Sequence, residues 1–446
     1  MTQLLLKIWS NNLKVCVIGA GLAGTEAAFQ LAKRGIDVDL YEMRPVKTTG
    51  AHQSEKPAEF VCSNSLGSLD LTGASGLLKE EMSILGGVLI EVAKRCAVPA
   101  GSALAIDREV FSSEIERLIN ENPRINFIRE EITKIPDMPT IIASGPLTSP
   151  DFSNEIKNFT GEAHLAFFDA IAPIIEKNSI NFDIAFVANR YDKGDACYIN
   201  CPMNKEQYED FYNTLINAPK IELKDFEKDA KFFESCLPVE VLASRGIHTL
   251  CFGPLKPVGL VDERTGEKSH AVVQLRQDDM AANLYNMVGF QTNLKWSAQK
   301  ELINKIPGLE SANIVRYGVM HRNTFVFSSK VLKRTLQTKK REDLFFAGQI
   351  TGTEGYTESI ASGLLAGINM AKFMKNESML ELSSESMLGA LVKYITFEDH
   401  KSLSPINSNW GIVDPMDLPI KVKKDKKQKN TILANRALEY IKTVEI

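Results

Sequence analysis

Val15-Cys16-Val17-Ile18-Gly19-Ala20-Gly21-Leu22-Ala23-Gly24 is the stretch on which the reading of the chain turns. Four apolar residues predict a buried parallel strand. Gly19-x-Gly21-x-x-Gly24 follows at once, and a helical pattern runs from Thr25 to Arg34, stopped by Gly35. Gly19 permits a tight turn, Gly21 lets the backbone approach a pyrophosphate, and Gly24 lets helix and strand pack closely. The segment Gly19, Ala20, Gly21, Leu22, Ala23, Gly24 is thus a candidate phosphate cradle, with free N–H groups and the helix dipole facing the anion. Val38, Leu40 and Tyr41 read as a second strand ending in Glu42. A carboxylate roughly 20 residues past the glycines suits a ribose 2′-hydroxyl. Strand, glycine turn, helix, strand and acid in this order predict dinucleotide binding.

Working outward, the period disappears after Glu42, and a long loop carries Phe60-Val61-Cys62-Ser63-Asn64-Ser65-Leu66. Loops past the carboxyl end of a strand are where α/β proteins keep ligand contacts. Leu77 to Lys94 reads as one helix with Gly86-Gly87 inside, either for close packing or as a kink. Ala103 to Arg108 reads as a strand ending in charge, with Arg108 set for an anion or for a surface ion pair. Far downstream, Leu344-Phe345-Phe346-Ala347-Gly348-Gln349 and the glycine-rich turn to Tyr356 form a second strand–glycine–helix unit facing a cofactor. The dinucleotide domain is therefore discontinuous. The expected division is a first part over 13–160, an inserted mixed α/β domain over 161–315, a second part over 316–376, and a helical C-terminal segment over 377–446.

The insert crowds aromatics such as Tyr208, Phe211 and Phe233, expected to be core rather than a base-stacking platform. Cys197 and Cys201 lack a partner pair at zinc spacing, and no metal site is expected. Cys236 has carboxylates two residues before and four after it, so its local sequence does not announce a nucleophile. His321-Arg322-Asn323-Thr324 packs four polar side chains into a short stretch, which points to a site. Lys421, Lys423, Lys424, Lys426, Lys427 and Lys429 form the dense basic run, either a solvated face or a phosphate patch.

At 446 residues two domains are expected. The net charge of −4 restricts any nucleic-acid surface to a local patch. Seven scattered cysteines do not form a disulfide framework and suggest reduced thiols in the cytoplasm. Residues 1–9 lack the features of a signal peptide, and no run reaches the roughly 18 apolar residues of a membrane span.

Taken jointly, these blocks closely resemble the folate- and flavin-dependent tRNA (uracil-5-)-methyltransferases. The matching stretches are Gly19 to Gly24, Phe60 to Leu66, Leu77 to Met82, Cys236 to Glu240, Val273 to Asp278, Val288 to Trp296, Arg316 to Thr324 and Ala347 to Gly363. Thr140 to Pro146 also resembles the turn by which many flavoproteins return their sheet to the cofactor. Departures are Gly67, where an arginine often stands, Phe327-Ser328-Ser329, and Leu237 in place of a common methionine. The resemblance implies a Rossmann-like FAD-binding fold and C5-methylation of the T-loop uridine of tRNA. The carbon would come from 5,10-methylenetetrahydrofolate and the hydride from reduced FAD, reloaded by NAD(P)H. It implies Cys236 as the thiolate that adds at uracil C6. Cys62 becomes the second thiol, for C5 proton removal or methylene handling, and the two roles could exchange. Tyr356 would place its ring near the isoalloxazine, and His321, Arg322 and Asn323 would line the flavin–folate pocket. The target base must leave its stack. Alternatives are the same chemistry on a 23S rRNA uridine, an NAD(P)H-dependent flavin thiol oxidoreductase, or a flavin-stabilised RNA-binding module without catalysis.

Overall fold

The structure, a computed structural model, describes residues 13–161, 165–192, 197–221, 237–266, 268–400 and 403–446. Its centre is a parallel sheet. β1 (Lys14–Ile18) is followed by helix α1 (Leu22–Lys33) and β2 (Asp37–Glu42). Ile125–Arg129, Thr140–Ile142 and Leu344–Phe346 supply β3, β4 and β5, and the order across the sheet is β5-β4-β1-β2-β3, every pair parallel. Strands covered on both faces need continuous apolar runs. Val15, Val17, Ile141, Ile142, Phe345 and Phe346 are accordingly all fully buried. One of the five strands returns from far downstream, so this domain is discontinuous in sequence.

The helix expected over Leu77–Lys94 is instead two, α2 (Ala74–Ile84) and α3 (Val88–Arg95). Gly86 takes φ +75°, which an L side chain rarely adopts, and turns the chain. The break is held from α1. Gln30 donates to the Gly86 carbonyl at 3.0 Å, and Glu26 accepts the N–H groups of Val88 and Leu89, at best 3.0 and 2.8 Å. α4 (Arg108–Glu121) is N-capped by Asp107, whose carboxylate accepts from Glu109 and Val110.

The chain leaves and re-enters the central domain on an antiparallel ribbon, Leu165–Ala170 against Met320–Phe325. Between them lies a six-stranded sheet ordered Phe186–Val187, Ile199–Met203, Ala271–Gln277, Leu284–Met287, Ile174–Glu176 and Ile314–Arg316, with all pairs antiparallel. It has its own core, in which Tyr208 and Phe211 are buried with Phe290. Tyr191 is 57% exposed, and Phe233 lies outside the described residues.

After the second glycine turn comes the long helix α5 (Tyr356–Met374), then α6 (Met387–Thr396). The lysine run falls on α7 (Ile420–Lys424) and α8 (Lys426–Lys442). Among the described residues no helix is long and apolar enough to cross a membrane.

Candidate functional site

At the carboxyl ends of β1, β2 and β4 opens a cleft. Gly19, Gly21, Leu22, Ala23, Glu42, Gly348, Gln349 and Tyr356 are in its lining. Ala20 and Gly24 are not, and they act behind it. A Cβ on Gly24 would lie 1.9 Å from the Gly19 carbonyl oxygen, so Gly24 serves packing. A Cβ on Gly21 would meet nothing within 4 Å, which leaves the backbone bare at the N-terminus of α1. Gly19 takes φ +100°, and its Cβ would collide with the Ala143 carbonyl oxygen at 2.6 Å.

Glu42 is 6% exposed and is held by two groups. The Ala20 N–H donates to Oε2 at 3.1 Å, while the Arg44 N–H and Nε donate to Oε1 at 3.1 and 2.8 Å. Burial works to raise its pKa, but hydrogen bonds and charge from Arg44 prevail and hold the carboxyl below its ordinary range. Arg44 also reaches Glu59 at 3.1 Å, forming a buried carboxylate–guanidinium–carboxylate chain along the rim. The spacing rule finds Glu42. Nothing in the sequence separates Arg44 from a surface arginine.

The floor of the cleft joins the loop that carries Cys62. Tyr356 is the first residue of α5, and its hydroxyl accepts the Cys62 N–H at 2.7 Å and lies 2.9 Å from Cys62 Sγ. Phe60 packs on the same ring, centroids 4.5 Å apart at 57°. Burial, then the Cys62 contact, push the Tyr356 phenol well above its ordinary pKa, so it stays a neutral hydroxyl. Tyr356 therefore touches both the cleft and the thiol.

The inserted domain closes on this loop through Asn64, which is fully buried. Its amide donates to the carbonyls of Ile106 and Gln277, both at 2.9 Å, and its Oδ1 accepts from Arg276 Nε at 3.0 Å. Arg108, expected to meet an anion or a surface acid, instead pairs with Asp278 of the insert at 3.0 Å in a mostly buried bridge. It also donates to the Phe60 carbonyl at 3.2 Å. Arg316 donates to the Ala51 carbonyl at 3.1 Å. Three arginines from three elements thus brace the segment around Cys62. Burial lowers the pKa of Arg276 and Arg316, and Arg108 adds to both shifts.

His321 and Arg322 sit on the returning ribbon strand, opposite Asp169 and Phe168 in register. Asn323 is 1% exposed, and neither its amide nitrogen nor its oxygen has a partner among the described residues. A buried amide with both ends unmet is costly unless a ligand completes it. Cys236 lies outside the described residues. Directly after it, Pro238 precedes a short helix, Val239–Ala243. Glu240 of that helix accepts from Thr292 Oγ1 and the Asn293 N–H, both at 2.8 Å. The segments 237–240 and 288–296 are therefore neighbours.

The family described as "Glucose inhibited division protein A" matches residues 14–378. A "Methylenetetrahydrofolate--tRNA-(uracil-5-)-methyltransferase TrmFO" of Anoxybacillus flavithermus is 57% identical over 429 residues, 96% of this chain and 98% of that protein. The protein of the same name from Halalkalibacterium halodurans is 56% identical over 425 residues, 95% of this chain and 97% of its own length. Among solved structures, Aquifex aeolicus GidA superposes with a TM-score of 0.69 at 16% identity, over 98% of this chain and 74% of that one. That likeness shows the fold, a Rossmann-like α/β architecture.

Proposed function

We infer the activity from the family to which this chain belongs, the glucose inhibited division protein A family, within its branch of folate-dependent tRNA (uracil-5-)-methyltransferases. The chain is a flavoprotein enzyme that methylates C5 of a uridine in tRNA, with methylenetetrahydrofolate as carbon donor. FAD supplies the reducing equivalents when bound, and NAD(P)H is the reductant consistent with this. The target is a T-loop uridine, and the setting is the cytoplasm, where tRNA and reduced thiols coexist.

The residues present fit FAD. The bare backbone at Gly21 leaves room for a pyrophosphate, Glu42 stands at the end of β2 for a ribose, and Gly348, Gln349 and Tyr356 face the same cleft. Asn323 is not in the lining of this cleft, but its two polar atoms without a partner among the described residues support a ligand-facing role for it on the flavin–folate side, with His321 and Arg322 next to it on the strand.

Uracil C5 is a poor nucleophile until a thiolate adds at C6 and moves electron density onto C5. Cys236 is assigned this addition. Cys62 then handles the C5 proton or the incoming methylene. The observation that carries this reading is the 2.9 Å contact between Cys62 Sγ and the hydroxyl of a tyrosine that lines the cofactor cleft. It supports a thiol one side chain away from the cleft that would hold the flavin. Tyr356 keeps that thiol oriented, and the bonds around Asn64 hold the loop that carries it.

The test is purified protein with FAD, NADPH, methylenetetrahydrofolate and unmodified tRNA, with nucleoside analysis of the product. 5-Methyluridine in the T loop is expected. Methylation with S-adenosylmethionine alone, or only in rRNA, contradicts the assignment. Cys236→Ala should abolish transfer and any covalent protein–RNA species, which a binding module or a thiol oxidoreductase would not require.

A further inference from the structure

Three consecutive residues at the start of α5 each fix a different point of the molecule. Tyr356 holds Cys62, as described. Thr357 Oγ1 donates to the Leu66 carbonyl at 3.0 Å. Glu358 accepts the N–H of Ser408 at 2.8 Å and its hydroxyl at 2.6 Å. The Leu66 carbonyl receives two further donors, Ser75 Oγ at 3.0 Å and Lys79 Nζ at 2.7 Å, both from α2. Three donors on one carbonyl exceed its two lone pairs, and one of the three is an ammonium. Lys79 is 2% exposed, and it also donates to Ser75 Oγ at 2.7 Å. Burial pulls its pKa down to about 8, and the charge of Glu358 opposes that shift. A lysine this deeply buried is rare unless it is paired.

We propose that Lys79 is a positioning residue for Cys62: its ammonium pins the Leu66 carbonyl, and with it the loop that bears the thiol, against the first turn of α5. The geometry gives the reason. Cys62 lies on the loop, and Leu66, four residues on, lies in the short strand Ser65–Ser68 that pairs antiparallel with Ala103–Ile106; their anchors, Tyr356 and Thr357, are neighbours on one helix. Two such points set both the position and the direction of the segment between them. Thr357 and Ser75 alone would hold the second point with two neutral bonds. Lys79 adds the shortest, charge-assisted bond, and with Ser75 it ties α2 as well as α5 to one carbonyl oxygen. Gly67 takes φ +77°, and a Cβ there would lie 2.9 Å from Ser75 Oγ, so the bare position gives that hydroxyl room beside the Leu66 carbonyl.

The inference rests on the catalytic reading of Cys62, and the experiment separates the two. In the FAD-loaded enzyme, the rate of Cys62 alkylation by iodoacetamide is followed by mass spectrometry beside the steady-state kinetics. For Lys79→Met we expect Cys62 to alkylate about tenfold faster while the other thiols keep their rates. We expect kcat to fall roughly 10- to 100-fold with KM for tRNA within about twofold, since small displacements of a reacting group cost rate rather than binding. Lys79→Arg, which keeps a cation, should recover most of both. Thr357→Val removes one donor from the other side of the same carbonyl and should move both readouts in the same direction by a smaller factor. A folded Lys79→Met enzyme with both readouts within twofold of the parent overturns the proposal. So does an unchanged Thr357→Val if Lys79→Met does not fold. Cys62→Ala that still methylates would overturn the reading of the thiol, and the alkylation rates would still decide the geometry.

Discussion

At the scale of single residues, the site was half legible. Glu42 could be found because it obeys a spacing rule, and Cys62 because it stands in a block shared with a known family. Arg44 could not, and the blocks that hold Asn64 and Arg276 did not say what those two side chains touch, since a polar residue buried by contacts from distant segments looks the same in sequence as one left in water. Two substitutions test what these contacts do. Tyr356→Phe keeps the ring against Phe60 but removes the hydroxyl that meets the N–H and Sγ of Cys62. FAD should remain bound, and kcat should fall about tenfold, the size of one lost oriented hydrogen bond. Flavin content and single-turnover methylation check this. Glu42→Gln removes a charged acceptor from the Ala20 N–H and leaves Arg44 with Glu59 alone. Losing a hydrogen bond to a charged group costs roughly 1.5–3 kcal/mol. FAD retention in equilibrium dialysis should therefore weaken by about 10- to 100-fold.

At the scale of elements, periodicity located most of the helices and strands of the central domain, and it failed where a distant residue decides a boundary. The break between α2 and α3 is the clear case. The apolar period continues across Gly86-Gly87, and what stops the helix is Glu26 on α1, which caps α3 from outside. Glu81 does the same for α6, accepting the N–H groups of Met387 and Leu388 at 2.7 and 2.9 Å. Burial lifts the Glu81 pKa from 4.5 to about 7, against the pull of those N–H groups. The folded value exceeds the unfolded one, so the native state holds the extra proton between these limits. The stability it contributes is full below about 4.5 and is lost as pH rises through 7. The swing is on the order of 3 kcal/mol at most. Glu81→Gln should flatten the thermal stability of the enzyme between pH 5 and pH 8 while lowering it at the acid end. An unaltered pH dependence in the variant would show that the carboxyl is ionised throughout.

The crossing of α1 and α5 belongs to the same scale. A Cβ on Gly363 would sit 2.2 Å from the Ala23 carbonyl oxygen, and one on Gly367 would sit 2.8 Å from that of Ala27. The small residues of α5 are thus a requirement of close approach, which the sequence shows as composition but not as a partner. Gly363→Val should destabilise by roughly 2–4 kcal/mol. It should also release FAD before global unfolding, because α1 carries Gly21 at its start. Flavin fluorescence followed during a thermal ramp tests the order of the two events.

At the scale of the whole molecule, the lysine run was legible and its placement was not. Lys424, Lys426 and Lys427 are exposed around the start of α8, whose first turn is capped by Asp425 through the Gln428 N–H at 3.0 Å. Four residues into that helix, Asn430 donates to the Thr72 carbonyl at 2.9 Å, and Trp410 Nε1 donates to the same oxygen at 2.9 Å. Thr72 ends the long loop that begins past Glu42 and carries Cys62. The basic helix is therefore tied to the loop that carries Cys62, although the two are far apart in the chain. A chain of net charge −4 must attract a polyanion by a patch, and this patch is fixed relative to the site. Lys424→Glu, Lys426→Glu and Lys427→Glu together should raise KM for tRNA at least tenfold in 150 mM salt and leave kcat within about twofold. Each lost phosphate contact should reduce the slope of log affinity against log salt by roughly 0.7 to 0.9. A triple variant with an unchanged salt slope would mean that the lysines face water in the complex.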